Sequence, residues 1–254
     1  MPPTDPARTK STLRSIRASI HAQADRERAV GVARFFKTGP GEYGEGDEFL
    51  GLTVAEMRRV VRTHRDLARD DMIALLQSRW HEERAVALLL MVHAHERSTP
   101  AERKRLHRAY LANTARVNNW DLVDLSAPRL AGYHVAESGT KTIVRFARSR
   151  SLWERRIAIV STLFTIRAGN FAPTLLMAEM QLDDPHDLIH KASGWMLREV
   201  GKRDEATLRA FLDAFAPVMP RTALRYAIER FPESDRKRYL AIPRVRRVRN
   251  AKAT

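Results

Sequence analysis

The stretch NNWDLVDLSA, residues 118–127, suits a helix and has three counterparts along the chain: WHEERAVALLL from Trp80, LWERRIAIVS from Leu152 and LIHKASGWML from Leu188. Aligning Arg84, Asp121, Arg156 and Lys191 leaves separations of 37, 35 and 35 residues. Each segment follows a shorter amphipathic stretch, namely LARDDMIALLQS, AERKRLHRAYLANT, GTKTIVRFARS and NFAPTLLMAEM. The repeating unit is therefore a helical hairpin of about 35–40 residues that buries its apolar face only against its neighbours.

Punctuation agrees with that reading. Six of the eleven glycines fall between Gly31 and Gly51, and the long remainder carries helix-period patterns almost throughout. Ser98 or Thr99 can cap a helix with Pro100 in its first turn, and Thr53 with Glu56 forms a capping box directly after the glycine loop. No alternating apolar run is long enough to demand a strand. The expected fold is all-α: a right-handed superhelical solenoid of HEAT-like hairpins whose second helices line a concave basic groove. The expected layout is a flexible basic N-terminus over 1–12, a single repeat domain over 13–240 and a flexible basic tail over 241–254, with eight Lys or Arg between Arg236 and Lys252.

Composition bounds the partners. The 254 residues are 44% hydrophobic, enough for a real core, and 45 Lys and Arg face 30 Asp and Glu, a formal net charge of +15. A polyanion is implied, nucleic acid first and an anionic membrane second. The membrane reading needs an amphipathic helix with exposed bulky apolar residues, which the basic tail lacks. Absence of cysteine excludes disulfides and thiolate metal sites and suits a reducing cytoplasm. The nine histidines include no H-E-x-x-H, and no metal or cofactor is expected. The first fifteen residues have no apolar h-region, and the apolar run AVALLLMV at 85–92 is too short to span a bilayer.

Within the aligned register Trp120 lies at −1, Asp124 at +3, Arg156 at 0 and Trp195 at +4. On ideal helices these offsets fall within about 140° of one another, one stripe on successive second helices. Each residue also has a plainer reading: either indole as core, and Asp124 with Arg156 as an ordinary ion pair between repeats. If the stripe faces a ligand, that ligand is positive, because indole faces and a carboxylate both attract cations. A cation embedded in nucleic acid is most simply a purine alkylated on a ring nitrogen, whose glycosidic bond is already weakened. One carboxylate about 4 Å from the developing sugar cation, at an effective dielectric near 20, contributes roughly 4 kcal/mol, about a thousandfold in rate.

The blocks YGEGDEFLG, NNWDLVDLSA, LWERRIAIV and IHKASGWMLREVGKRD resemble those of the DNA alkylation repair glycosylases of the HEAT-like, bacterial AlkD type, from about residue 30 to residue 240. The resemblance implies a catalytic aspartate at Asp124, active-site tryptophans at Trp120 and Trp195, and an active-site arginine at Arg156. It implies a monomeric, cofactor-free hydrolase that holds duplex DNA, releases N3- and N7-alkylpurines and stays in the bacterial cytoplasm with the nucleoid. Phosphate contacts are expected from Lys191, Arg198, Arg148 and Arg150. Tyr43 and the glycines of the loop 39–51 could let backbone approach DNA, or the loop could be a turn whose Phe49 and Leu50 plug the core. No lysine in the stripe is placed for a Schiff base with the sugar unless Lys191 turns toward it, so strand-nicking lyase activity is not expected. The competing class is a HEAT-type scaffold that binds nucleic acid or protein without catalysis.

Overall fold

The computed structural model describes residues 10–245, and these are helical with no strand among them. They divide into two compact units, one ending at Ser126 and the other beginning at Ala127. The first unit contains α1 (Leu13–His21), α2 (Arg26–Phe35), α3 (Val54–Thr63), α4 (Arg69–Leu76), α5 (His81–Arg97) and α6 (Pro100–Ala112). A short 3₁₀ turn, Thr114–Arg116, leads into α7 (Trp120–Leu130), within which the division falls. The second unit continues with α8 (Gly132–Ser138), α9 (Lys141–Ala147), α10 (Leu152–Ser161), α11 (Leu163–Arg167), α12 (Ala172–Met180), α13 (Asp187–Gly201), α14 (Glu205–Phe215), α15 (Arg221–Ala227) and α16 (Glu233–Ala241). The all-α class expected from the repeats is what the chain adopts. None of the described helices is long and apolar enough to cross a membrane.

Helix starts are written locally. Thr53 accepts the Glu56 amide while Glu56 reaches back to Thr53, the reciprocal capping box, and Thr99 caps α6 ahead of Pro100. Asp25, Ser151 and Asp204 cap α2, α10 and α14 in the same way. The hairpin partners pack as the repeat predicts: α4 on α5, α9 on α10 and α12 on α13.

Helix α5 is the centre of the first unit, contacted by α1, α3, α4 and α6. It has no solvent face over its first two turns, since every residue from His81 to Leu88 is buried. The glycine loop closes over its N-terminus. Phe49 and Leu50 are buried, and Glu82 accepts hydrogen bonds from the backbone amides of Leu50, Gly51 and Leu52 at 2.9, 2.7 and 3.2 Å. Gly51 has φ +85, and a Cβ there would fall on the Asp25 carbonyl, so only glycine serves.

In the second unit α13 lies against α14 and α15, and the approach to α15 is close because residue 194 is glycine. A side chain at that position would strike the Ala223 carbonyl and the Tyr226 Cβ. Both ends of the described chain are tied down. Ser11 donates from its amide and its hydroxyl to Asp66, at 3.1 and 2.6 Å. The Val245 amide donates to the Pro217 carbonyl at 2.8 Å, and Arg221 donates to that of Ile242. Ser11, Ile242 and Val245, which fall in the end segments expected to be flexible, thus make hydrogen bonds to their own units. Residues 1–9 and 246–254 lie outside the described residues.

Candidate active site

The start of α7, which carries Trp120 and Asp124, is built on a buried polar network. Asp47 comes from the glycine loop, and its carboxylate receives four hydrogen bonds. Arg84 donates at 2.6 Å, His81 Nδ1 at 3.1 Å, Asn118 at 3.1 Å and Asn119 at 3.2 Å. Asn119, fully buried, accepts the Trp120 amide at 2.8 Å and so fixes the first residue of the helix. The other ring nitrogen of His81, Nε2, sits 2.8 Å from Asp121.

Charge explains how this cluster tolerates burial. Two cations, Arg84 and protonated His81, face two carboxylates, Asp47 and Asp121, so the group is neutral as a whole. Burial works against the charged imidazole, but the hydrogen bonds and charges of Asp121 and Asp47 outweigh it and raise the His81 pKa to about 9. Burial likewise opposes ionisation of Asp47, yet His81 and Arg84 hold its carboxyl below the ordinary range.

The aromatic surroundings of Trp120 are now explicit. Phe36 stacks on one face of the indole, centroids 5.2 Å apart and planes 24° apart, and also on Phe49 at 5.2 Å. Phe35 meets the indole edge-on at 5.9 Å and is 65% exposed. His81 lies against the Phe49 and Phe36 rings at 4.6 and 5.0 Å. Trp120 is thus half core and half surface. Asp124, one turn along α7 and on the same side, is half-buried, and its charge adds to the burial that raises the Tyr110 hydroxyl.

In the second unit Arg156 is 5% exposed and donates to the Leu188 carbonyl at 2.6 Å, tying α10 to the first turn of α13. Trp195 is half-buried on α13, one residue past Gly194. Among the expected phosphate contacts, Lys191 pairs with Asp187 at 2.9 Å and Arg198 pairs with Glu229. Arg148 and Arg150 are exposed between α9 and α10, and Tyr43 is half-buried in the glycine loop. Arg148 lines a cleft of about 470 Å³ with Arg155, Gln181, Asp183 and Asp184.

The structure corrects the repeat register. Counted from the caps, Arg84, Arg155 and His190 are all fourth in their helices, and each donates to the carbonyl six residues back: Ser78, Ser149 and Asp184. Asp124, Arg156 and Lys191 are all fifth, counting Trp120 as the first residue of α7. The sequence alignment was one residue off at Arg84 and three off at Asp121, because it matched charged side chains instead of caps. In the corrected frame Trp120 sits four positions before the fifth and Trp195 four after. The stripe of candidate positions then spans about 80° of a helix surface instead of 140°. Sequence reasoning missed the roles of Asp47, His81 and Asn119, as well as those of Phe35 and Phe36.

A family model described as DNA alkylation repair enzyme matches residues 16–231. Among solved structures, a predicted DNA alkylation repair enzyme from Enterococcus faecalis is similar at TM-score 0.65 and 18% identity, over 83% of this chain and 98% of that one. At such identity the likeness carries the fold alone. No curated protein matches. With the family model spanning the fold and the blocks around Trp120, Asp124, Arg156 and Trp195, the chain belongs to the DNA alkylation repair enzyme family.

Proposed function

We propose that the protein is a monofunctional DNA glycosylase that hydrolyses the N-glycosidic bond of cationic N3- and N7-alkylated purines in duplex DNA. The observation that carries this reading is the pair on α7: an indole with one face held by Phe36 and, one turn on, a half-buried carboxylate on the same side. Trp120 screens the cationic nucleotide from water while offering its quadrupole, and Asp124 stabilises the sugar as positive charge moves onto it. Asp124 also orients the attacking water. Arg156 and Trp195 serve the same reaction, Arg156 toward the phosphate beside the lesion and Trp195 as a second aromatic surface. Arg148 and Arg150, both exposed, and Lys191, Arg198 and Tyr43 add contacts to the DNA backbone.

The test is chromatographic release of 7-methylguanine from methylated duplex DNA by the wild type and by Asp124→Asn. We expect release by the wild type and a drop of about a thousandfold in the variant with duplex binding retained. Equal release by both removes Asp124 from the mechanism. No release by either leaves a non-catalytic DNA-binding scaffold.

A further inference from the structure

His81 is buried at the N-terminus of α5 and touches neither solvent nor any surface a substrate could reach, yet it is ringed by charge. Asp47 faces it from the glycine loop, Asp121 from α7, and Arg84 from its own helix through their shared partner Asp47. Arg116, from the 3₁₀ turn, acts on Arg84. Glu48 accepts the His81 amide through its carbonyl while its carboxylate points to Arg79, and Phe36 and Phe49 present ring faces to the imidazole. A neutral imidazole has one N–H, so it could satisfy only one of the two carboxylates and would turn a lone pair toward the other. Only the imidazolium serves both.

We propose that His81, donating from both ring nitrogens, is a positioning residue that locks Asp47 to Asp121 and thereby fixes how Trp120 and Asp124 project from α7; this rests on the glycosylase reading of those two residues. The geometry supplies the path. Asp121 follows Trp120 directly, Asn119 bridges Asp47 to the Trp120 amide, and Phe36 and Phe49 join the imidazole to the indole in one continuous stack. Deprotonation of His81 breaks one of its two bonds and leaves a carboxylate against a lone pair, which loosens the first turn of α7. The folded-state pKa is raised well above the ordinary value, so in the folded protein the lock is closed through neutrality and opens as pH rises through about 9.

Two measurements test this, one of them independent of catalysis. Trp120 emission, isolated as wild type minus Trp120→Phe, is followed from about pH 6 to about pH 10 without DNA. It should titrate near pH 9, lose that transition in His81→Gln, and shift to lower pH by about one unit or more in the milder variant Asp121→Asn. In parallel, kcat/KM for 7-methylguanine release is taken as the ratio of wild type to His81→Gln, which cancels titration of the DNA itself. The ratio should stand at about 10- to 100-fold near neutrality and fall toward one above pH 9. An emission signal that fails to titrate, or titrates identically in the His81 and Asp121 variants, overturns the proposal, as does a ratio flat with pH. If no protein releases base, the glycosylase reading fails by itself, and the emission titration alone decides whether His81 locks the helix.

Discussion

Removing Asp47 should destabilise the first unit from within. Its carboxylate is 3% exposed and is hydrogen-bonded to the equally buried Arg84, whose guanidinium lies 2.6 Å away. Asp47→Ala deletes four hydrogen bonds and leaves a net positive charge buried beside the glycine loop. Breaking a buried pair from one side costs about 3–5 kcal/mol, which for a chain of this size lowers Tm by roughly 6–20 °C. Asp47→Asn keeps the shape and an acceptor oxygen but not the charge, so its loss should be smaller, nearer 2 kcal/mol. Urea denaturation followed by circular dichroism, with each unit tracked through single-tryptophan variants at positions 80 and 195, reads both numbers. If Asp47→Ala costs under about 1 kcal/mol, Arg84 and His81 find water or other partners, and the neutral-quartet argument is refuted.

Other outcomes follow from the same geometry. The raised His81 pKa makes stability pH-dependent in a defined direction: a contribution on the order of 3 kcal/mol, present below about pH 6.5, disappears as pH rises through about 9, and His81→Gln should flatten that slope in denaturation midpoints. Glu82→Ala orphans three buried amides and should cost about 3 kcal/mol or more, with hydrogen exchange accelerated specifically at Leu50, Gly51 and Leu52; unchanged protection there would contradict the assigned bonds. Gly194→Ala must push α13 away from α15 and should cost about 1–3 kcal/mol by calorimetry, whereas Gly31→Ala, on α2 with open space around it and no positive φ, should not destabilise the protein.

Much of the fold was legible because its signals are local. Thr53, Thr99 and Pro100 announce helix starts by chemistry that acts within four residues, and the structure uses them as read. Of the two readings open for residues 39–51, the one in which Phe49 and Leu50 plug the core agrees with their burial. The network under Trp120 was not legible, because Asp47, His81 and Asn119 are brought together by tertiary folding and each resembles an ordinary surface polar residue. One signal pointed to it: AVALLLMV has no polar side, and a helix apolar all round is buried, so the HEER preceding it had to be buried as well. The register error has a similar origin. Charge type recurs by chance in a chain this rich in arginine, whereas cap geometry does not.

Neighbouring positions in the second helices divide their labour. The fourth residue grips the incoming loop in three of the hairpins and is replaced on α7 by the asparagine link to Asp47, while the fifth is Ala85 on α5, Asp124 on α7, Arg156 on α10 and Lys191 on α13. A scaffold arranged this way is evolvable. The fifth position carries alanine, aspartate, arginine and lysine on one helical plan, so a library confined to the half-buried Asp124 and Lys191 would vary side-chain chemistry and leave the fourth-position loop anchors in place, with Arg156 kept because it holds the Leu188 carbonyl.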